Sequence, residues 1–343
     1  MTSIIDISTK PTTNLTGFLG AGKTTYLNYL ILNNSNIRYA IIENEYGEQS
    51  IDSELILLAE NDIVELNNGC LYCTLNDNLY DILNTLYEKR DEYDEIIIEA
   101  AGVADPRGLA EPFIGNPSVK KQFPLNQIIC LVDAEFFESQ LESTEEAINQ
   151  VRYSDILLVD KTDLVNEKKL AHLISKLKRL NPLALIIFGN KDRYPIPEMQ
   201  KRESELDSIL NQRLKRMDIS FAVGKPNSHH KHYHTYQFNS LTLIFHHPFD
   251  YQKLHLRLLG YLTFQAKDLY RMKGLIWVNG SEDQQILQSV GVGLVINQKR
   301  NWQKGEKKEC KIVMIGKNFQ REGFEKMFSQ CLIKEQKQMH VGI

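Results

Sequence analysis

Residues 17–25 read G-F-L-G-A-G-K-T-T, and this segment constrains the fold more than any other part of the chain. It matches the phosphate-binding loop G-x-x-x-x-G-K-[ST], in which glycines allow successive backbone N–H groups to turn inward around a phosphate. Such a loop opens a helix, and the positive end of that helix faces the same anion. The segment therefore predicts a nucleoside triphosphatase.

The polar side chains of this loop have distinct predicted roles. Lys23 reaches the β- and γ-phosphate oxygens, and the Thr24 hydroxyl is a ligand for Mg²⁺. Together with magnesium, Lys23 would neutralise the charge on the transferring γ-phosphoryl group. The other loop residues expected to bind the nucleotide are Gly17, Gly20, Gly22 and Thr25.

Short β-rich runs alternate with amphipathic helical patterns through the first half of the chain. This alternation predicts an α/β fold with a doubly wound, mostly parallel sheet, in which ligands bind beyond the carboxyl ends of the strands. The predicted strands are residues 12–16, 37–42, 62–66, 95–99, 127–132, 156–159 and 185–188. The predicted helices are residues 24–32, 78–89 and 168–180. Residues 12–16 are polar for a central strand, but their place before the phosphate loop leaves little alternative.

A linker is predicted between two domains. Residues 191–212 carry prolines and charges, residues 224–236 are rich in histidine, and neither stretch has apolar periodicity. Beyond them, strand patterns at 238–245, 271–278 and 310–315 and helical patterns at 251–262 and 322–332 predict a smaller α+β unit. We expect a nucleotide-binding domain at 1–200, a linker at 201–236 and a second domain at 237–335.

Composition narrows the function by exclusion. The 343 residues carry a formal net charge of −4, which provides no basic surface for nucleic acid. No apolar run approaches the roughly 20 residues that a membrane span needs, and residues 1–14 lack the order of an export signal. We therefore expect a cytoplasmic protein without nucleic-acid or membrane partners. Its five cysteines are not expected to form a disulfide framework.

An apolar strand ends in an acid at residues 96–99, which read I-I-I-E. Glu99 at this position can hold Mg²⁺ through water, and the backbone N–H of Gly102 can contact the γ-phosphate. The alternative for Glu99 is an ordinary carboxylate at a strand end. The buried strand before it favours the functional interpretation, so Lys23, Glu99 and Gly102 form the expected catalytic set.

A second apolar strand runs into D-K-T-D at residues 160–163. In GTPases the corresponding element is N-K-x-D, whose last Asp accepts the two donor hydrogens of guanine while the Lys packs over the base. Asp163 and Lys161 match and favour GTP, with a plain surface turn as the alternative. Asp160 departs from the pattern, because a carboxylate only accepts where the amide would donate to the purine and tie loops together. We expect either a weaker affinity or a tie that is rebuilt.

Residues 68–74 read N-G-C-L-Y-C-T and place two thiols at C-x-x-C spacing. Cys70 and Cys73 can both point at one soft metal ion, although a redox pair has the same spacing. A tetrahedral Zn²⁺ needs two further ligands. Glu45 is the candidate third ligand, because its segment leaves the strand beside the helix of the phosphate loop.

Taken in order, these segments resemble the CobW-like P-loop GTPases. The resemblance rests on G-F-L-G-A-G-K-T-T, N-E-Y-G-E-Q-S-I-D, G-C-L-Y-C-T-L, E-A-A-G-V-A-D-P and D-K-T-D-L. It continues through residues 270–274, Trp302 and residues 315–317, and so covers nearly the whole chain. It implies a GTP-driven metallochaperone or metal-insertion protein, for zinc or cobalt, in which GTP hydrolysis is coupled to metal transfer.

Two residues depart from the family pattern. The family usually has G-C-x-C-C, and Tyr72 stands where the middle cysteine would be, so only Cys70 and Cys73 carry over as ligands. Loss of one thiolate weakens a soft-metal site or moves it toward another ligand set. Asp160 in place of the usual Asn is the second departure, and it bears on GTP affinity more than on phosphate binding.

Histidines are concentrated in the predicted linker, where residues 228–234 read S-H-H-K-H-Y-H. This tract could collect Zn²⁺, Ni²⁺ or Co²⁺, and a solvated polar linker is the alternative. Its imidazoles belong to His229, His230, His232 and His234. The remaining cysteines occur singly and are expected to be buried or incidental thiols. They are Cys130, Cys310 and Cys331.

The expected function is a slow GTPase that carries zinc to a client protein, with a homodimer as a candidate assembly. Three alternatives stay open. A small-molecule kinase would share the phosphate loop but would have no use for D-K-T-D or the C-x-x-C pair. A degenerate GTPase acting as a metal buffer or adaptor would bind metal without multiple turnover. A cobalt-handling protein of cobalamin synthesis is not separated from a zinc carrier by the sequence.

Overall fold

The protein is described here by a computed structural model that covers residues 9–34, 36–43, 63–65, 75–195, 238–264, 268–317 and 320–333. The chain divides into two compact units, Met1–Asn227 and Ser228–Ile343. The phosphate loop and the D-K-T-D element both belong to the first unit. The α+β pattern at the end of the sequence belongs to the second.

Seven strands of the first unit, counted over its described residues, form one sheet. They are β1 Thr12–Gly17, β2 Tyr39–Glu43, β3 Ile63–Glu65, β4 Glu95–Glu99, β5 Leu125–Asp133, β6 Ile156–Asp160 and β7 Leu185–Phe188. Their order is β3-β2-β4-β1-β5-β6-β7, and all neighbouring pairs are parallel. From β1 the chain first builds one side of the sheet with β2, β3 and β4, and it then crosses to the other side of β1 at β5. Doubly wound sheets bind ligands where the strand order reverses in this way. The predicted fold class and strands are confirmed.

Helices connect these strands. They are α1 Lys23–Asn33, α2 Leu75–Glu88, α3 Pro106–Gly115, α4 Pro117–Gln122, α5 Phe137–Ser143, α6 Glu145–Tyr153 and α7 Glu167–Leu180, and a 3-10 turn Thr162–Leu164 follows β6. The three predicted helices correspond to α1, α2 and α7, with ends shifted by up to three residues. Within the described ranges, no helix has both the length and the apolar character that crossing a membrane requires.

Strand β1 is central and buried along its whole length, although its sequence is polar. Leu15 packs into the same apolar cluster as Leu27 of α1. Thr12, Asn14 and Thr16 alternate with Leu15 and therefore point to the other face. Their buried side-chain oxygens, and the amide nitrogen of Asn14, have no hydrogen-bond partner within the described residues. The position before the phosphate loop, and not hydrophobicity, identifies this strand in the sequence.

Helices α3 to α6 lie where the sequence pattern predicts none. They are short, and Pro112 stands inside α3, so their apolar periodicity is weak. A helix-start signal is nevertheless present. The Asp105 side chain accepts a hydrogen bond from the Arg107 N–H at 2.8 Å, and Pro106 occupies the first helical position.

The described part of the second unit contains one antiparallel sheet and two helices. The strands are β8 Phe238–Phe245, β9 Leu269–Trp277, β10 Asp283–Val290, β11 Gly293–Asn301 and β12 Cys310–Lys317, and the helices are α8 Tyr251–Phe264 and α9 Arg321–Ser329. The strand order is β11-β10-β9-β12-β8. Phe245, Phe249 and Phe328 meet in the core with ring centroids 5.6–6.1 Å apart. This arrangement confirms the predicted α+β unit.

Strands β10 and β11 are absent from the sequence-based prediction. Glutamines and charged residues interrupt the apolar alternation in both, which weakens the strand signal. They form a hairpin in which Val290 pairs with Gly293 across a two-residue loop. The last predicted helix was also too long, because α9 ends at Ser329 and Leu332 forms a bridge with Phe249 instead.

Candidate functional site

The phosphate loop joins β1 to α1, and its glycines are held in close contact with neighbouring strands. Gly17 has φ +143° and Gly22 has φ +95°, a region that residues with a side chain rarely adopt. A Cβ on Gly17 would lie 2.6 Å from the backbone oxygen of Leu131. A Cβ on Gly22 would lie 2.6 Å from Asp160 Oδ2. Conformation and packing therefore both require glycine at these two positions.

Three of the predicted site residues meet where α1 begins. Lys23 Nζ donates a hydrogen bond to the Gly17 backbone oxygen at 3.1 Å, so its ammonium group folds over the start of the loop. Thr24 Oγ1 donates to Glu99 Oε1 at 3.5 Å. Glu99 ends β4 and is only 7% exposed. Thr25, the next residue of the loop, is exposed.

The donor set at this point suits magnesium. A threonine hydroxyl and a carboxylate are hard oxygen donors, which is the type of ligand that Mg²⁺ takes in nucleotide sites. Glu99 is a buried carboxylate, and the Thr24 hydroxyl is the hydrogen-bond partner at its Oε1. The strand register also places Glu43, the last residue of β2, beside Glu99 at the same edge of the sheet.

The loop after β4 packs directly against the phosphate loop. A Cβ on Gly102 would lie 2.5 Å from Leu19 Cδ2 and 2.9 Å from the Leu19 backbone nitrogen, so only glycine allows this approach. Gln150 of α6 fixes the loop from behind, because its Nε2 donates to the backbone oxygens of Gly102 at 3.0 Å and of Ala104 at 3.3 Å. Gly102 is therefore held against the phosphate loop, and its contact with the γ-phosphate stays a prediction.

The D-K-T-D element reaches the phosphate loop through a lysine. Lys161 has φ +56°, and its Nζ donates to the Gly20 backbone oxygen at 2.8 Å and to Asp133 Oδ2 at 2.7 Å. Asp133 ends β5 and is 2% exposed, and its other oxygen accepts from the N–H groups of Glu135 and Phe136. This buried carboxylate holds the lysine against the loop.

The two aspartates of the same element differ in their surroundings. Asp163 is exposed on the 3-10 turn after β6. Asp160 is 3% exposed and accepts two hydrogen bonds, from the Lys161 N–H at 2.8 Å and from the Tyr194 hydroxyl at 3.0 Å. Burial and the Asp160 carboxylate raise the pKa of Tyr194 above its usual range.

Glu99, Gly102 and the D-K-T-D element are thus all in contact with the loop at residues 17–25 or with the start of α1. Comparison with known proteins gives the family of the chain. The profile described as "CobW/HypB/UreG, nucleotide-binding domain" matches residues 11–188. The profile described as "Cobalamin synthesis protein cobW C-terminal domain" matches residues 238–332. The chain belongs to the CobW/HypB/UreG family.

Relatives within the CobW/HypB/UreG family agree with this assignment. "Zinc chaperone YjiA" of Escherichia coli (strain K12) is 30% identical over 308 residues, which cover 89% of this chain and 93% of the relative. "Zinc-regulated GTPase metalloprotein activator 1" of Dictyostelium discoideum is 30% identical over 228 residues, covering 55% of this chain and 47% of the relative. A crystal structure of a zinc-bound triple mutant of the YjiA GTPase superposes with a TM-score of 0.61 at 25% identity, covering 95% of this chain and 99% of that one.

The metal ligands predicted from the sequence lie outside the described residues. They are Glu45, Cys70, Cys73, His229, His230, His232 and His234. In the ranges that the structure does describe, no three His, Cys, Asp or Glu side chains are grouped so as to hold a metal. The single cysteines there are buried, and burial raises the pKa of Cys130 and of Cys310 to about 12. Both thiols stay protonated at neutral pH and are poor metal ligands.

Sequence reasoning missed three residues that shape the CobW-type site. Asp133 carried a usable signal, because it ends an apolar strand in the same way as Glu99 does. Gln150 and Tyr194 carried none, because each acts on a segment 34 or more residues away in the chain. Contacts of this kind are decided by the fold and not by a local pattern.

Proposed function

We propose that this protein hydrolyses GTP and acts as a metallochaperone, which binds a transition metal, zinc in the first place, and transfers it to a client protein. Membership of the CobW/HypB/UreG family supports this, as do relatives named a zinc chaperone and a zinc-regulated GTPase metalloprotein activator. The proposed parts are a GTPase domain at 1–200, a histidine-containing linker at 201–236 and a CobW-type C-terminal domain at 237–335.

One observation carries the nucleotide part of the proposal. The Nζ of Lys161 bridges the Gly20 backbone oxygen and the Asp133 carboxylate, which joins the D-K-T-D element to the phosphate loop. Asp163 then stands two residues beyond this bridge, exposed and able to accept the two donor hydrogens of guanine. A small-molecule kinase would need the phosphate loop without this arrangement, so the contact supports GTP as the substrate.

Hydrolysis in this site depends on neutralising charge at the γ-phosphoryl group. Lys23 begins α1 and is proposed to contact the β- and γ-phosphate oxygens. Thr24 and Glu99 would hold Mg²⁺, which supplies further positive charge at the phosphates when it is bound. The N–H of Gly102, whose carbonyl is fixed by Gln150, would contact the γ-phosphate.

The reaction itself transfers the γ-phosphoryl group to water. A water oxygen bonds to the γ-phosphorus, the bond to the β,γ-bridging oxygen breaks, and GDP and inorganic phosphate are released. The sequence offers no arginine finger or water-positioning residue that can be named, and such groups accelerate GTPases by orders of magnitude. We therefore expect slow intrinsic turnover that a partner protein or dimerisation accelerates.

The cargo site is proposed at Cys70 and Cys73, with Glu45 as a third ligand and the histidine tract as an additional capture segment. Glu45 follows β2 and the two cysteines follow β3 in the chain. These two strands pair with each other, and their carboxyl ends lie at the same edge of the sheet as the phosphate loop. Loss of the γ-phosphate is proposed to change both segments together and so to alter metal affinity.

Tyr72 and Asp160 favour a second candidate. One thiolate fewer weakens a soft-metal site, and a carboxylate at residue 160 changes the base loop. These two departures together favour a degenerate GTPase that acts as a metal buffer or adaptor. Cobalt handling in cobalamin synthesis remains a variant of the first candidate with a different cargo.

The deciding experiment is an isothermal titration with Zn²⁺ and with Co²⁺, in the presence of Mg²⁺ and either GDP or a non-hydrolysable GTP analogue. The wild-type protein is compared with the Cys70→Ser/Cys73→Ser double variant and with Cys310→Ser, which removes a buried thiol as a matched control. We expect binding that is lost in the double variant only and that differs about tenfold or more between the two nucleotides.

The other outcomes are equally informative. Binding that survives loss of both thiols would move the metal site to the histidine tract, which replacement of its four histidines by Asn then tests. Equal metal affinity with both nucleotides would remove the coupling and favour the buffer or adaptor. Multiple rounds of GTP hydrolysis, measured as phosphate release, would argue against that candidate.

A further inference from the structure

The carboxylate of Asp160 occupies a position that demands hydrogen-bond donors. Asp160 is the last residue of β6 and is buried, and its Oδ2 lies against the phosphate loop, 2.6 Å from where a Cβ on Gly22 would be. A carboxylate offers acceptors only, and a buried one without donors is costly. The two donors that reach it therefore decide whether this end of the site keeps its shape.

One donor is local and the other is remote. The N–H of Lys161, the next residue, donates to Oδ1 at 2.8 Å and would do so to an asparagine oxygen as well. The hydroxyl of Tyr194 donates to Oδ2 at 3.0 Å and comes from beyond β7. Oδ2 is the atom that replaces the amide nitrogen of the usual Asn. The tyrosine hydroxyl thus links residue 160 to another segment by a hydrogen bond of reversed direction, in which residue 160 accepts where an amide nitrogen would donate.

Tyr194 is fixed tightly enough to act as a support. It is 2% exposed, and its ring packs edge-on against Tyr26 and Tyr29 of α1, with centroids 5.2 and 5.1 Å away. Gly189 makes room for the ring, because a Cβ there would lie 2.5 Å from Tyr194 Cδ1. The turn before it is closed by reciprocal backbone hydrogen bonds between Asn190 and Arg193.

The same side chain therefore connects three parts of the nucleotide site. Its ring touches the helix that opens at the phosphate loop, its hydroxyl holds the end of β6, and its backbone follows the end of β7. Lys161 and Asp163 are the residues immediately after Asp160. Any shift at Asp160 is passed directly to the two side chains that are proposed to contact the guanine.

We propose that Tyr194 is a positioning residue for the guanine nucleotide, which replaces through its hydroxyl the tie that an amide at residue 160 would make. This inference rests on the proposed binding of GTP. It adds a specific hydrogen-bond partner for Asp160, the residue that departs from N-K-x-D. Asp160 and Tyr194 then act as a pair that compensates for the departure from N-K-x-D, so Asp160 would no longer support the degenerate GTPase named above as the second candidate.

The test is a double-mutant cycle on the full chain, with Y194F, D160N and D160N/Y194F. The affinity for GDP with Mg²⁺ is measured by isothermal titration, together with the affinity for inorganic triphosphate, which uses the phosphate loop alone. Y194F keeps the ring and removes only the hydroxyl. We expect it to bind GDP about tenfold more weakly, because a buried carboxylate oxygen loses its donor, and to bind triphosphate unchanged.

The rescue is the decisive measurement. In the D160N background the same Tyr-to-Phe change should cost much less, so that D160N/Y194F binds GDP about tenfold more tightly than Y194F does. Y29F is the matched control, since Tyr29 contacts the same ring and its hydroxyl does not reach Asp160. Urea unfolding of the nucleotide-free proteins should show the same coupling in the free energy of unfolding.

Three results would overturn the role of Tyr194. The first is Y194F protein that binds GDP as tightly as wild type, and the second is a loss of affinity that D160N does not recover. Equal weakening of GDP and triphosphate would also count against it, because it would indicate general damage to the fold. Wild-type protein without affinity for guanine nucleotides would reject the proposed function as well, so the two failures are distinguishable.

Discussion

The phosphate loop and the D-K-T-D element, which we propose as the phosphate end and the base end of the nucleotide site, are built differently. At the phosphate end, residues 17–25 supply the backbone and side-chain groups from one continuous loop. At the base end, Lys161 is held by Asp133 from another strand. Asp160 is held by Tyr194, which lies 34 residues further along the chain. The first end is a local structure, and the second depends on tertiary contacts.

This difference explains where the chain departs from the common GTPase pattern. In a continuous loop each glycine and the lysine has a role that no other residue can take over, so a substitution removes it. At the base end, a tie that an amide at residue 160 would make can be replaced by a donor from another element, as the Tyr194 hydroxyl is proposed to do for Asp160. We therefore expect departures from the pattern to be accommodated more easily at the base end.

The largest effect should come from Lys23→Ala at the phosphate end. Removing a positive group aimed at the transferring phosphoryl group typically lowers kcat by about 10²- to 10³-fold. Phosphate release at saturating GTP measures it, and Lys178→Ala, on an exposed position of α7, is the control. If both variants lost kcat to a similar degree, or if neither lost any, the role of Lys23 would be contradicted.

At the base end, Asp163→Asn should weaken GDP binding by about 10- to 100-fold. The carboxylate would be replaced by a group that presents N–H donors to the N–H donors of guanine, and a hydrogen bond to a charged group contributes about 1.5–3 kcal/mol. The affinity of this variant for xanthosine diphosphate, whose base has an acceptor where guanine has a donor, should fall less or should rise. Asp81→Asn on the exposed face of α2 should leave both affinities unchanged.

Selectivity between guanine and xanthine nucleotides separates Asp163→Asn from Lys23→Ala. Lys23→Ala should affect guanine and xanthine nucleotides equally, because it acts only on phosphates. If Asp163→Asn weakens both nucleotides by the same factor, the D-K-T-D element is not reading the base, and the comparison between the two ends no longer holds.

The same contrast, between a continuous loop and tertiary contacts, explains which features the sequence predicts. Gly17, Lys23, Thr24 and Glu99 can be proposed as site residues from the sequence because each lies at a fixed place in a loop or at a strand end. The parallel sheet follows from the alternation of strands and helices. Tyr194 could not be, since nothing around it in the chain indicates a contact with Asp160. Strands β10 and β11 were missed because their polar residues obscure the alternation.

Gly22 belongs to the phosphate end and lies against Asp160 of the base end. Gly22→Ala should therefore have a moderate effect on the structure of both ends. The new Cβ would require a strained backbone at φ +95° and would press on the Asp160 carboxylate. Strain of this kind costs about 1–3 kcal/mol, which should appear in the free energy of unfolding. GDP affinity should fall by about tenfold, the equivalent of about 1.4 kcal/mol.

Gly108→Ala is the matched control for this substitution. Gly108 lies in α3, and a Cβ there meets no atom within 4 Å. Alanine should leave GDP binding unchanged and should stabilise the protein by about 0.4–1 kcal/mol, because it restricts the unfolded chain. If both alanine variants behaved alike, the close contact between the phosphate loop and Asp160 would have no energetic importance.

The smallest effect should come from a carboxylate outside both ends of the site. Asp94 accepts hydrogen bonds from Arg38, at 3.0 Å from its backbone N–H and at 2.9 and 3.1 Å from its guanidinium, and these lower the pKa of Asp94 to about 2. A carboxyl group with a lowered pKa stabilises the fold above its ordinary pKa of about 3.9. That contribution is lost as the pH falls through the folded value. Asp94→Asn should therefore flatten the decrease in stability between about pH 4 and pH 2.

Asp94→Asn is a useful reference because its expected effect on stability is small and because it is not expected to change nucleotide affinity. Both side chains of the Arg38–Asp94 pair are about 40% exposed, so at neutral pH the variant should lose less than about 1 kcal/mol. Urea unfolding at a series of pH values measures it. Glu306→Gln, which removes the partner of Arg300 in the second unit, is the counterpart, since the pKa of Glu306 is also lowered to about 2. If Asp94→Asn changed the GDP affinity at neutral pH, the site would be coupled to an ion pair that lies before β4, whereas Glu99 ends that strand. The nucleotide site would then depend on charges outside its two ends.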